Sequence, residues 1–138
     1  MNTAQTFSAG LGRVLLASLF LFSGLGKLAA PLATKGYIAS VGLPFPELAY
    51  LGALAVELGL ASLLLLGYRS RPVAVAMAVF SLVTAAIFHS ALGDQNQMIH
   101  LLKNVAIAGG LLQIAAFGGG ALSLDAWRAG RRGLARRP

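Results

Sequence analysis

The stretch PELAYLGALAVELGLASLLLLG, residues 46–67, decides the fold. Between Leu48 and Leu66 it holds a single charged residue, Glu57, and no apolar/polar alternation. A run of about 20 apolar residues crosses ~30 Å of hydrocarbon at 1.5 Å per residue, and a membrane β-strand would alternate instead. Pro46 opens the run and Gly67 closes it, as expected of a helix. Working outward, three similar runs appear. One covers residues 10–30 and stops at Pro31, one covers 72–92 and fades before Gly93-Asp94-Gln95-Asn96-Gln97, and one covers 98–117 and ends at Gly118-Gly119-Gly120. The expectation is an all-α integral membrane protein, a four-transmembrane-helix bundle formed as a single domain over residues 1–138, with 118–138 as a basic tail.

Composition agrees. Hydrophobic residues make up 57% of the chain and charged ones 11%, too few charges to cover a soluble domain. The net charge of +7 does not point to nucleic acid. Five of the eleven basic residues are Arg128, Arg131, Arg132, Arg136 and Arg137, with no interleaved aromatics, a pattern that fits a topology signal or an anionic-lipid contact. The absence of cysteine removes disulfides, thiolate metal sites and dithiol redox chemistry. The first run has a weak basic flank at Arg13, but Lys27 follows its core and no small-x-small site precedes Pro31, so it reads as a retained span.

Lysine and arginine counts set the orientation. Arg13, Arg69, Arg71 and the five tail arginines, eight residues, share one side, against Lys27, Lys35 and Lys103, three residues, on the other. The positive-inside rule places both termini in the cytoplasm and the Pro31–Phe45 and Gly93–Gln97 loops outside.

That topology gathers polar residues into the outward half of the bundle. Lys27 and His89 lie near the outward ends of the first and third spans. His100, Lys103 and Asn104 fall in the outward turns of the fourth, and Glu57 sits near mid-membrane. Ser23 and Lys27 share a face at i, i+4, as do His100 and Asn104, and Tyr50 lies two turns from Glu57 on its stripe. A charge at a helix centre costs about 2.5–3.5 kcal/mol, so Glu57 requires protonation or a partner, either Lys27 or Lys103. The blander readings are snorkelling lysines, an interface histidine, and a Glu–Lys pair that only holds helices together. No histidine pair has ligand spacing, so no metal site is expected, and the triple glycine lacks the strand and Gly-Lys-Ser/Thr of a phosphate loop.

Arg13 to Phe20, then Phe22-Ser23-Gly24-Leu25-Gly26-Lys27, Gly42-Leu43-Pro44, Glu57-Leu58-Gly59-Leu60 and Gly67-Tyr68-Arg69 follow in order. His89, Lys103-Asn104 and Gly118 to Ser123-Leu124-Asp125 complete a pattern that resembles the DoxX family. The resemblance implies a small four-helix inner-membrane protein. Some members of that family are membrane subunits of quinone-linked oxidoreductases or partners of redox-defence enzymes.

The resulting expectation is a small subunit or auxiliary of a membrane redox system. A pocket would take a polar-headed ligand, a quinone headgroup being one candidate, with Glu57 as proton acceptor or counter-charge. Ser23, Lys27, His89, Lys103 and Asn104 would bind the ligand. The chain carries no flavin motif, cluster ligands or haem ligands, so electrons would come from a redox enzyme partner or an exogenous reductant. The alternative is a non-catalytic membrane scaffold or a small-solute carrier. Partner identity and oligomeric state are not readable from the sequence.

Overall fold

The computed structural model describes residues 2–135; Arg136 and Arg137, counted above in the basic tail, lie outside the described residues. Four helices are long and apolar enough to cross a membrane: α1 (Thr3–Ala29), α3 (Pro46–Leu66), α4 (Ser70–Phe88) and α5 (Gln95–Phe117). Two shorter ones join them, α2 (Pro31–Ser40) and α6 (Leu124–Ala135). No strand occurs among the described residues.

Helix ends account for the departures from the expected bounds. The helix of the first span begins at Thr3 because Asn2 and Gln5 form a reciprocal capping box, with Gln5 N–H donating to Asn2 Oδ1 at 2.8 Å and Asn2 N–H to Gln5 Oε1 at 2.9 Å. At 1.5 Å per residue, α1 is about 40 Å long, more than a bilayer core requires. Its buried stripe starts only at Gly10 and runs through Arg13, Ala17, Phe20 and Gly24. The segment read as the Pro31–Phe45 loop contains α2, nucleated by Pro31 in its first turn, where a missing N–H costs nothing. Ser70, not Pro72, opens α4, because Pro72 still falls within the first turn of unpaired donors. Asp94 caps α5 by accepting from Gln97 N–H at 3.0 Å, so that helix starts at Gln95. The basic tail is itself helical over Leu124–Ala135.

Gly67, at φ +69°, ends α3 in the left-handed conformation, with Gly67 N–H bonded to Leu64 O at 3.0 Å and Tyr68 N–H to Leu63 O at 2.9 Å. A side chain there would collide with Ser123 and Arg13, so close approach demands glycine as well.

The core occupies one half of the bundle. Ala17, Ala61, Ala74, Ala78 and Ala108 are buried around Leu64, Met77 and Leu111, and the small size of the alanines lets the helices approach closely. The outer surface carries exposed large apolar side chains on every span, among them Leu15 and Phe22 on α1, Leu48 and Leu51 on α3, Val79 and Leu82 on α4, and Leu102 and Leu112 on α5. Toward the end that holds Lys27 the core thins and the helices enclose a cavity.

Candidate functional site

The cavity measures about 880 Å³ and is bounded by α1, α2, α3, α4 and α5. Its walls are mainly apolar, with Leu19, Phe20, Ile38, Phe80 and Ile87 among them. Ser23, Lys27, Glu57, His89, Lys103 and Asn104, the six residues singled out from the sequence, all line it.

Glu57 lies in a π-helical turn, Ala55–Leu60, inserted into α3. Such turns add a residue to the helical ladder and rotate the phase of the turns beyond them. Here the turn aims Glu57 at α1, where its side chain is 7% exposed. Lys27 Nζ stands 2.9 Å from both carboxylate oxygens. Only the approach to Oε1 is aligned as a hydrogen bond, which leaves the buried Oε2 without an aligned donor. Ser23 completes a triangle. Its hydroxyl accepts from Lys27 Nζ at 2.9 Å and donates to Glu57 Oε1 at 3.2 Å. Gly24 permits this closeness, since a methyl there would sit 2.7 Å from Leu58 Cδ2 and 3.1 Å from Glu57 Cβ. The choice the sequence left open falls to Lys27. Among the described residues Lys103 makes no ion pair and stands exposed at the opposite wall. Tyr50 does not offer its hydroxyl to Glu57; it donates to the Lys27 backbone carbonyl at 3.1 Å, tying α3 to α1.

The far wall is built by α4 and α5. His89 and His100 stack with ring centroids 5.1 Å apart, and His89 Nδ1 lies 2.9 Å from Gln97 Oε1. Asn104 uses one amide hydrogen on the His100 carbonyl at 3.1 Å, so its carbonyl oxygen stays available. Ser81 and Thr84, which the sequence reading passed over, also face the cavity. Ser81 Oγ is buried without a hydrogen-bond partner. Hydroxyls three apart on an otherwise apolar span were the available signal. Among the described residues no group of three histidine, aspartate or glutamate side chains could hold a metal ion. The arrangement offers an apolar chamber, a buried carboxylate paired with an ammonium, and hydrogen-bonding groups along two walls.

A second polar cluster, also missed, closes the opposite end. Arg13, 5% exposed, donates from Nη1 to Gly119 O at 2.5 Å and from Nη2 to Leu122 O at 2.6 Å. Asp125 accepts from Arg69 N–H, Ser70 N–H and Ser70 Oγ, each at 2.8 Å, and so caps α4 from a distant point in the chain. Burial alone would raise the Asp125 carboxyl; the hydrogen bonds from Ser70 and Arg69 and the charge of Arg128 outweigh it and hold the group below its usual range.

Comparison with known proteins agrees with this architecture. The family model described as DoxX matches residues 9–90. The chain is 37% identical to inner membrane protein YphA of Escherichia coli K12, across 91% of this chain and 99% of that protein. It is 33% identical to inner membrane protein YqjF of the same organism, across 91% of this chain and 95% of that protein. No solved structure matches significantly.

Proposed function

The chain belongs to the DoxX family and is a multi-pass inner-membrane protein, and from that premise we propose that its cavity binds a lipophilic molecule with a polar headgroup in a membrane redox system. A quinone is the candidate that suits both the apolar walls and the hydrogen-bonding groups. Ser23, Lys27, His89, Lys103 and Asn104 hold the headgroup, and Glu57 is the proton acceptor or counter-charge beside it. A bound quinone would supply two-electron redox chemistry, and an electron-donating partner or reductant would drive it. The chain's own residues bind and orient the headgroup, exclude water and hold a proton near Glu57.

The observation that carries this reading is the polar lining of a chamber of about 880 Å³ whose buried Glu57 Oε2 and Ser81 Oγ lack aligned protein partners. Buried polar atoms are generally satisfied, and those left over at a cavity wall invite a ligand. The second reading, a scaffold, is favoured by one feature: the Lys27–Glu57 pair links α1 to α3 and would stabilise the bundle without any ligand.

Ligand binding separates the two. Protein purified in mild detergent should release a lipophilic compound on organic extraction, identifiable by mass spectrometry, and the emptied protein should bind a quinone analogue. His89→Ala and Asn104→Ala each remove a hydrogen bond worth about 0.5–1.5 kcal/mol, so each should weaken analogue binding by roughly 2- to 10-fold. Melting of the ligand-free protein should move by only a few degrees, and ligand-free protein is required because a bound ligand raises apparent stability. Variants that fold and bind as well as the parent would leave the scaffold as the function.

A further inference from the structure

The end of the bundle remote from the cavity has a charge arrangement that the ligand site does not use. The chain has four acidic side chains in all. Glu57 and Glu47 pair with Lys27 and Lys35, Asp94 caps α5, and Asp125 is engaged by Arg69 and Ser70. Arg69, Arg71, Arg128, Arg131 and Arg132 therefore stand together with only one acidic side chain nearby, and that one is already satisfied. Membrane insertion places this excess charge at a defined depth. Asp125 N–H bonds to Gly67 O at 3.0 Å, and its carboxylate caps the first turn of α4, so α6 begins level with the ends of the spans. The position is the headgroup layer.

The side chains there fit that layer. Leu122, Leu124 and Trp127 are exposed apolar groups directly preceding the arginines of α6, and apolar side chains beside basic ones suit a helix lying in the membrane interface. Arg131 stacks over Trp127 at 4.9 Å and Arg128 over Tyr68 at 5.2 Å, so both guanidinium groups keep hydrogen-bond donors available. Beside α6 a depression of about 510 Å³ is lined by Arg69, Arg71, Phe117, Gly118-Gly119-Gly120 and Asp125, whose carboxylate is already engaged by the Arg69 and Ser70 donors. It combines two guanidinium groups with an exposed phenylalanine at the end of a span. Arginine binds phosphate through paired N–H donors, and phenylalanine suits an acyl chain.

We propose that the arginine-rich end of the bundle is a binding site for anionic phospholipid, with headgroup phosphate held between the Arg69–Arg71 depression and the arginines of α6. Phe117 and Trp127 lie against acyl chains, and α6 serves as an interfacial anchor with a preference for negative lipid.

Trp127 is the only tryptophan, so its fluorescence reports α6 directly. The full chain would be placed in nanodiscs of phosphatidylcholine, with or without phosphatidylglycerol, and acrylamide quenching measured. Native mass spectrometry would give retention of each lipid. The test variant combines Arg71→Gln, Arg128→Gln and Arg132→Gln; Arg131 is kept so that the Trp127 surroundings stay intact, and Arg136 and Arg137 are also kept. Phosphatidylglycerol should be retained over phosphatidylcholine and should shield Trp127. Near a membrane surface each basic residue is worth about a fivefold preference, so the variant should lose on the order of 100-fold at low salt, and less as salt is raised. Unchanged helicity would confirm that the variant folds. Equal retention of both lipids, or shielding of Trp127 as complete in phosphatidylcholine alone, would overturn the proposal. So would a variant with undiminished preference. If inorganic phosphate reproduced the shielding without phosphatidylglycerol, the site would be one for free anions.

Discussion

At the residue scale, the decisive contact is Lys27 with Glu57. A buried pair is a weak source of net stability, but removing one member leaves the other uncompensated. Loss of a partner in a fully buried pair costs about 3–5 kcal/mol. Lys27 keeps 27% of its side chain exposed and can partly rehydrate, so Glu57→Gln should cost roughly 2 kcal/mol of stability in detergent. Lys27→Met combined with Glu57→Gln should recover part of that loss, while Lys103→Met should be additive with Glu57→Gln. A thermal-melt double-mutant cycle measures both couplings, and zero coupling to Lys27 would refute the ion pair. The sequence revealed that a mid-span carboxylate needs protonation or a partner, with Lys27 and Lys103 as the candidates. It did not reveal which one, because that depends on a π turn whose residues, Ala-Val-Glu-Leu-Gly-Leu, have no distinctive pattern.

At the element scale, apolar runs as long as a bilayer is thick made the four spans legible, since length and hydropathy are set by the solvent rather than by packing. The short helices were not legible for the opposite reason. Pro31–Ser40 and Leu124–Ala135 depend on where the spans end and what meets them. The Arg13–Gly119 and Asp125–Ser70 contacts join residues far apart in sequence, and neither side chain announces its partner. Those contacts give a pH prediction. A carboxylate held below its usual range contributes stability that is fully present above that range and is lost as pH falls through the lowered value, because protonation removes acceptors from the α4 cap. Melting temperature should therefore decline on acidification below the ordinary carboxylate range. Asp125→Ala should lower the plateau at neutral pH by about 1 kcal/mol, the usual cost of replacing an N-cap side chain by alanine, and flatten the acid limb. An acid limb as steep in the variant as in the parent would assign that stability to another group.

At the scale of the whole molecule, the two polar clusters occupy opposite ends of one bundle, and orientation decides which aqueous phase each meets. The structure places Arg13, Arg69, Arg71 and Arg128 at one end and Lys27 and Lys103 at the other, the same division that the charge count uses. The bias follows from the cost of moving lysine and arginine across a membrane during insertion, and flanks within about 15–20 residues of the spans dominate it. On that basis the charge bias predicts an arginine end that faces the cytoplasm and a cavity that opens toward the periplasm. An anionic-lipid anchor on the cytoplasmic leaflet and a ligand site reached from the opposite side would then be independent functions of one small bundle. A reporter enzyme active only outside the cytoplasm should be silent when fused after Pro138 and active when inserted within Gly93–Gln97. Replacing Arg69 and Arg71 by glutamine should leave this pattern unchanged while α6 retains its arginines, because the remaining bias still favours the same side. Activity after Pro138 combined with silence in the loop would turn the molecule over and open the cavity to cytoplasmic reductants.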